Sequence, residues 1–448
     1  MPNRADRKQA MSRRRLLQAS AVAGVGLGLG VPGLIAPARA QAQTTVTFAG
    51  WAFEPQVVEA NVKRFMEQNP DLKVVYTPLD LNLYSEKMVA LFNAGSQPDS
   101  FYVRDLSFGA WVEAGWIQPI DGLPGLAALN DDIYPFNLES LFYKGKQYGT
   151  PYYGDIYIYI YDTKLLAKAG IAKAPVTLDE LTKAALEVKK AGIAKYPILK
   201  GFKTNSDGLS EFWSMVIASG GHLFNEAFDP LYPYEDKTAV AILEWMVDSM
   251  HGTQILDPTG LELDETQVRD ALVSGQGVFT SAVGNVFPRV NDPALSKRAG
   301  DIQLTRFPGL KDLSKGTMGW TRFYCISSKT KVRDAAWRLI AYMGGKDKNG
   351  TYYTAKDWYL KYGVGYAFKS LDNDPDIKEA HRKAGYDLDI LSQQSNTARP
   401  RENIGATWYL DWDNFTQQQI QRALLRQVTP LQALEASAKK AQELKKNS

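Results

Sequence analysis

The 448-residue chain contains a single cysteine, Cys325, and three histidines, His222, His251 and His381. One cysteine excludes an intrachain disulfide. Its place in the apolar run Phe323 to Ile326 reads as a buried strand position rather than a reactive thiol. The histidines lie far apart without the spacing of a zinc site, so neither a metal nor any other cofactor is expected. There is no G-x-S-x-G elbow and no Walker loop, which removes two common signatures of nucleophilic and phosphate chemistry. After the stretch Leu16 to Ile35, no apolar run approaches the ~20 residues that a membrane-crossing helix needs.

What the N-terminus does have is an export layout. Arg13, Arg14 and Arg15 precede that glycine-dotted apolar stretch, and Ala38-Arg39-Ala40 follows it as a cleavage site, so residues 1–43 read as a twin-arginine-like signal. Removing its seven basic residues and one acidic residue from the totals of 52 and 49 leaves 45 basic and 48 acidic residues. The mature chain is thus slightly acidic, and no nucleic-acid partner is indicated. With no cysteine beside the cleavage site to take a lipid, a free periplasmic protein is expected.

The mature chain is long enough for two domains. It opens as β-α-β-α-β: strands at Thr45 to Ala49, Lys73 to Thr77 and Ser100 to Val103 alternate with helical faces, Ser85 being the expected cap of the second helix. Such an order implies a parallel sheet, whose ligands bind at the carboxyl ends of strands. The loops carrying Trp51 and Glu54, Asp80, and Arg104 with Asp105 are therefore candidate binding loops. Residues 156–161, Ile-Tyr-Ile-Tyr-Ile-Tyr, place three tyrosines on one strand face. Thr177 with Glu180 forms a capping box, helices dominate thereafter, and Thr429-Pro430 starts a closing amphipathic helix.

Two acid pairs, Asp387 with Asp389 and Asp411 with Asp413, could support glycoside hydrolysis if the fold spaced them correctly, and solvated helix-end charges are the alternative. Tyr152-Tyr153 and Tyr352-Tyr353 raise the option of ferric iron. Aromatics beside polar residues are a broader signal: Trp51 near Glu54, Tyr153 near Asp155, Trp320 near Arg322, and Trp408-Tyr409 near Asp411. A sugar presents apolar C–H faces and a rim of hydroxyls, which an aromatic ring and charged hydrogen-bonding groups satisfy together.

A set of ordered segments resembles the extracellular solute-binding protein family 1 of ABC importers, to which maltose-binding protein belongs. They are FMEQNPDLKVV from Phe65, EKMVALFNAGSQPDSFYVRD from Glu86, YGTPYYGDIYIYIYDTKLLAKAG from Tyr148, VTLDEL from Val176, SGGHLF from Ser219, GQGVFT from Gly275 and KTKVRDAAW from Lys329. The resemblance implies an α/β, two-lobe periplasmic-binding-protein fold (type II) with ligand in the interlobe cleft. Residues 44–153 with 304–347 would form one lobe, and 154–303 with 348–448 the other, more helical one. It further implies a non-enzymatic monomer that binds a carbohydrate and passes it to membrane permease subunits; a secreted carbohydrate-active enzyme is the alternative. Trp51 and Glu54 would sit in the first cleft loop, Asp105 would meet sugar hydroxyls, Tyr153 would lie near the first crossing, and Trp213 and Trp408 would be binding aromatics. Where many sugar binders read Gly-Pro-Trp, this chain reads Gly284-Asn285-Val286-Phe287, and Phe287 would substitute. Arg104, Arg289, Arg322, Arg399 and Arg401 near presumed cleft loops admit an acidic sugar or a phosphorylated polyol.

Overall fold

The computed structural model describes residues 43–204 and 208–448. Most of the export-signal reading, residues 1–42, therefore falls outside the described residues, among which no helix is long and apolar enough to cross a membrane.

The parallel opening forms as the period-two and period-3.6 patterns predict. Strands β1 (Thr44–Trp51) and β2 (Leu72–Leu79) pair in parallel, joined by helix α1 (Pro55–Gln68), which starts on proline and buries Val57, Val58, Val62 and Phe65. Helix α2 (Tyr84–Asn93) then leads to β3 (Ser100–Arg104), parallel to β1 on its other side. Ser85 does not cap α2. The turn before it is made by Asp80, whose carboxylate accepts from the amides of Asn82 and Leu83, both at 3.0 Å. Helices α3 (Asp105–Glu113), α4 (Leu126–Asn130) and α5 (Pro135–Ser140) and the small hairpin β4 (Phe142–Tyr143) and β5 (Lys146–Gln147) precede the strand that organises the molecule, β6 (Gly149–Asp162).

Its first half, to Ile156, pairs with β9 (Gly319–Ile326), and its second half pairs with β7 (Phe279–Val283) and β8 (Ile302–Thr305). The sheet order is β2-β1-β3-β9-β6-β7, with β8 also on β6. The Ile-Tyr alternation separates two packing faces: Tyr157 and Tyr159 enter one core, and Ile156, Ile158 and Ile160 a smaller one.

A first core gathers β1, β2, β3 and β9 with α1, α3, α12 (Arg333–Met343) and α13 (Tyr353–Tyr362). A second surrounds the far half of β6 with α6 (Thr163–Lys168), α7 (Leu178–Lys190), α8 (Gly208–Ala218), α9 (Thr238–His251), α16 (Tyr409–Leu424) and α17 (Pro430–Asn447). The third, with Phe136, Leu272, Phe287 and Val290, draws on α5, α10 (Glu265–Val273) and α11 (Phe287–Val290), and is flanked by α14 (Pro375–Ala384) and α15 (Leu388–Thr397). These cores cut the chain differently from the expected division at 304 and 347. Leu304, Phe307 and Met318 pack in the second and third cores, whereas Tyr352, Trp358 and Phe368 pack in the first. Apolar burial, rather than chain order, decides the assignment. Cys325 is fully buried in β9, as its neighbours suggested.

Candidate functional site

The end of β3 lies beside the middle of β9, which lies beside the middle of β6. Arg104 on β3 stands opposite Arg322 on β9, which stands opposite Tyr153 on β6, and two positions along Asp155 faces Trp320. Asp105 begins α3 directly after β3, with its carboxylate accepting from the Leu106 amide at 2.9 Å at a helix N-terminus, where negative charge is favoured. The Arg322 guanidinium donates to that carboxylate. Arg104 donates to the Leu81 carbonyl at 3.1 Å and lies over the Trp51 ring at 5.6 Å, and burial together with neighbouring Arg322 lowers its pKa. Tyr153, whose phenol is pushed up by burial, has Trp320 on the neighbouring strand β9. Trp320 in turn packs at 5.5 Å against Tyr157. This cluster combines forked donors, an acceptor and ring faces within a few residues.

At the second core, Arg401 hydrogen-bonds Ser210 and lies 5.8 Å from the ring of Tyr409, whose hydroxyl donates to Asp413 at 2.8 Å. The first and second cores come together nearby. A Cβ added to Gly109 of α3 would fall 2.0 Å from the Gly405 carbonyl oxygen.

Asp155 is turned toward the end of β7. Its oxygens accept from the amides of Ile156 at 2.8 Å and Asn285 at 3.2 Å, yet loss of solvent dominates and raises its pKa to about 7. It borders a cavity of about 240 Å³ that Asn285 also lines.

Residues 53–350 match the bacterial extracellular solute-binding protein family. The chain belongs to that family. The mannitol-binding protein of Pseudomonas aeruginosa is 26% identical over 201 residues, a match spanning 44% of this chain and 46% of that relative. The maltotriose-binding protein of Pyrococcus abyssi is 27% identical over 370 residues, 79% of this chain and 72% of that one. The sugar-binding protein MalE of Xanthomonas citri superposes with a TM-score of 0.76 at 18% identity, over 90% of this chain and 98% of that one. The fold is thus the two-lobe α/β fold of periplasmic solute-binding proteins.

In this solute-binding protein the residues picked out by sequence fall into three groups. Asp105, Tyr153, Trp320 and Arg322 come together, while Asp155 and Asn285 meet at the cavity. The rest serve packing or local structure. Trp213 is fully buried against Trp412 at 6.1 Å, Phe287 is fully buried against Tyr386 at 4.4 Å, and Trp408, 6% exposed, packs on Phe224. These three expected binding aromatics are core residues, because the helices around them leave apolar volume that large rings fill. Trp51 is buried on Tyr84 and Tyr102 and touches the cluster only through Arg104. Glu54 occupies the position before α1 in a left-handed conformation, without a capping hydrogen bond, and accepts from Gln56, and Asp80 is the exposed turn residue described above.

Arg399 donates to the Gly221 carbonyl at 2.9 Å and lies 3.6 Å from Glu402, beside His222. Both arginines expected to hold an anion, Arg322 and Arg399, are therefore matched to carboxylates of the protein. Asp387 caps α15, Asp413 is engaged by Tyr409 and Gln417, and Tyr352 donates to Asp132 at 2.7 Å. Ser210 carries no signal in the sequence, whereas Arg401 is one of the arginines near the presumed cleft loops and Tyr409 stands in the aromatic pair with Trp408.

Proposed function

We propose that this protein is the ligand-capturing component of an ABC importer, taking a carbohydrate or polyol between two lobes and delivering it to membrane permease subunits. The first and second cores would be those lobes, with β6 and β9 as crossings between them. The observation that carries the reading is the Asp105–Arg322 pair flanked by Tyr153 and Trp320. A sugar hydroxyl both donates and accepts, so a carboxylate beside a guanidinium meets it in either sense, while ring faces cover the C–H surface. Charges already matched within the protein favour a neutral ligand over an acidic one. The mannitol and maltotriose named for the two relatives are compatible with that class.

The protein would work without catalysis, as a monomer in the periplasm, after removal of the signal. N-terminal sequencing of the exported protein should begin at Gln41. A thermal-shift screen over neutral sugars, polyols, sugar acids and polyol phosphates tests the ligand class. A true ligand at 100 times its Kd adds about 2.7 kcal/mol of stability. Stabilisation by sugar acids or phosphates alone contradicts the neutral reading, and product formation from a glycan panel contradicts the binding-only reading.

A further inference from the structure

The cavity of about 240 Å³ beside the middle of β6 is lined by none of Trp51, Asp105, Tyr153, Trp320 or Arg322. Its Phe136 wall lies behind the strand pair. Phe136 packs against Gly319, and its neighbour Asn137 packs against Gly154 and donates to Thr321. By strand alternation, Gly154, Ile156, Gly319 and Thr321 share the face opposite the one bearing Tyr153, Trp320 and Arg322, and Asp155, on the latter face, is the lining residue next to the cleft cluster.

The cavity's walls are aromatic and its polar groups are specific. His381 is 3% exposed, and its Nδ1 has no hydrogen-bond partner among the described residues. Leaving such an atom unmatched away from water is unfavourable, and a bound hydroxyl would satisfy it. Tyr359 and Tyr386 hold the imidazole edge-on at 5.2 and 5.1 Å. Burial pulls His381 down to about 4, so at neutral pH the ring is uncharged and offers one donor and one acceptor. Half-buried Ser392 and Ser395 supply further hydroxyls.

Two of the three lining acids are already occupied, and the third, exposed Asp389, is accompanied by exposed Lys378 of opposite charge. Asp372 accepts from Tyr134 and Tyr366, and Asp155 from backbone amides. They do not require a cation, and they oppose an anion. The volume corresponds to roughly eight waters of bulk liquid, the scale of one sugar ring or six-carbon polyol.

We propose that this cavity is a second binding site, separate from the cleft, for one neutral polyhydroxylated molecule of monosaccharide or hexitol size. His381 exchanges hydrogen bonds with a ligand hydroxyl, and Phe136, Tyr359 and Tyr386 cover its C–H faces. Tyr359 belongs to α13 of the first core, whereas Phe136 and Tyr386 pack in or on the third, so the occupant bridges parts of the fold. Occupancy here and in the cleft are then linked, each changing the other's affinity by the same factor.

With three histidines in the chain, imidazole nitrogen NMR of the full mature protein isolates His381, assigned with a His381→Asn variant. D-mannitol and D-glucose are the probes, with D-glucose 6-phosphate as the anionic control. A saturable shift at His381 with a neutral probe is expected, retained in Arg322→Ala and Trp320→Ala, lost in Ser392→Trp, which fills the cavity from its rim, and absent with the phosphate. The proposal is overturned if neither neutral probe shifts His381. It is overturned equally if the shift disappears in the cleft variants while surviving in Ser392→Trp, since His381 would then report the cleft at a distance. Calorimetry on the same cleft variants reads the cleft separately, so failure of one site is distinguishable from failure of the other.

Discussion

The guanidinium of Arg322 on β9 donates to the carboxylate of Asp105 at the start of α3, and the side chains are only 18% and 7% exposed. Removing one partner of such a pair strands the other charge away from water. Arg322→Gln is therefore expected to cost about 3 kcal/mol of stability and to weaken binding of a neutral sugar at least tenfold. Asp105→Asn in the same chain should restore part of the stability but not the affinity. Urea melts paired with calorimetric titration check this, and additive losses in the double variant would mean that the two residues act independently.

Asp155 and His381 give stability opposite pH slopes. The folded Asp155 carboxyl titrates near 7 against 3.8 for a free one, so between those values the folded chain keeps a proton that the unfolded chain has lost. Its contribution falls as pH rises from about 4 to about 7. The folded His381 titrates near 4 against 6.5, so there the unfolded chain binds the extra proton and the contribution rises with pH. Each amplitude is on the order of 3 to 4 kcal/mol. Relative to wild type, Asp155→Asn should gain stability as pH rises across this window, and His381→Asn should lose it. Denaturant midpoints at several pH values read both trends, and parallel curves for either variant would refute its assignment.

Trp408 packs on Phe224 in the second core. Trp408→Ala should cost about 3–5 kcal/mol of stability, while the folded remainder keeps its ligand affinity within about threefold. A large affinity loss with unchanged stability would return Trp408 to the binding site.

Gly109 and Gly405 touch where the first and second cores meet. Gly109→Ala would place a methyl group 2.0 Å from the Gly405 carbonyl oxygen, so α3 and that segment must move apart. If this contact belongs to the liganded form, the variant should bind its sugar at least tenfold more weakly and give a larger radius of gyration by small-angle scattering with ligand present. Wild-type affinity would show that binding does not need the contact.

Local chemistry made much of the fold legible. The alternation at 156–161 specified a strand with two different faces, Thr429-Pro430 the start of the last helix, and the β-α-β-α-β opening a parallel sheet. The ordered segments from Phe65 to Trp337 carried the family. Each depends on residues a few positions apart, which is the range over which backbone periodicity and capping act.

The site was not legible in that way. Asp105 and Arg322 lie 217 positions apart, and the cavity joins Phe136 to His381. Trp213, Trp408 and Trp320 look alike in sequence, each being a tryptophan among mixed neighbours. Helix packing buries the first two, whereas strand register places the third beside Tyr153 and Arg322. The sequence by itself determined the elements, their order and the family. Only the tertiary structure decided which charges neutralise one another and which rings are taken into the cores, because burial and pairing depend on surfaces brought together from distant parts of the chain.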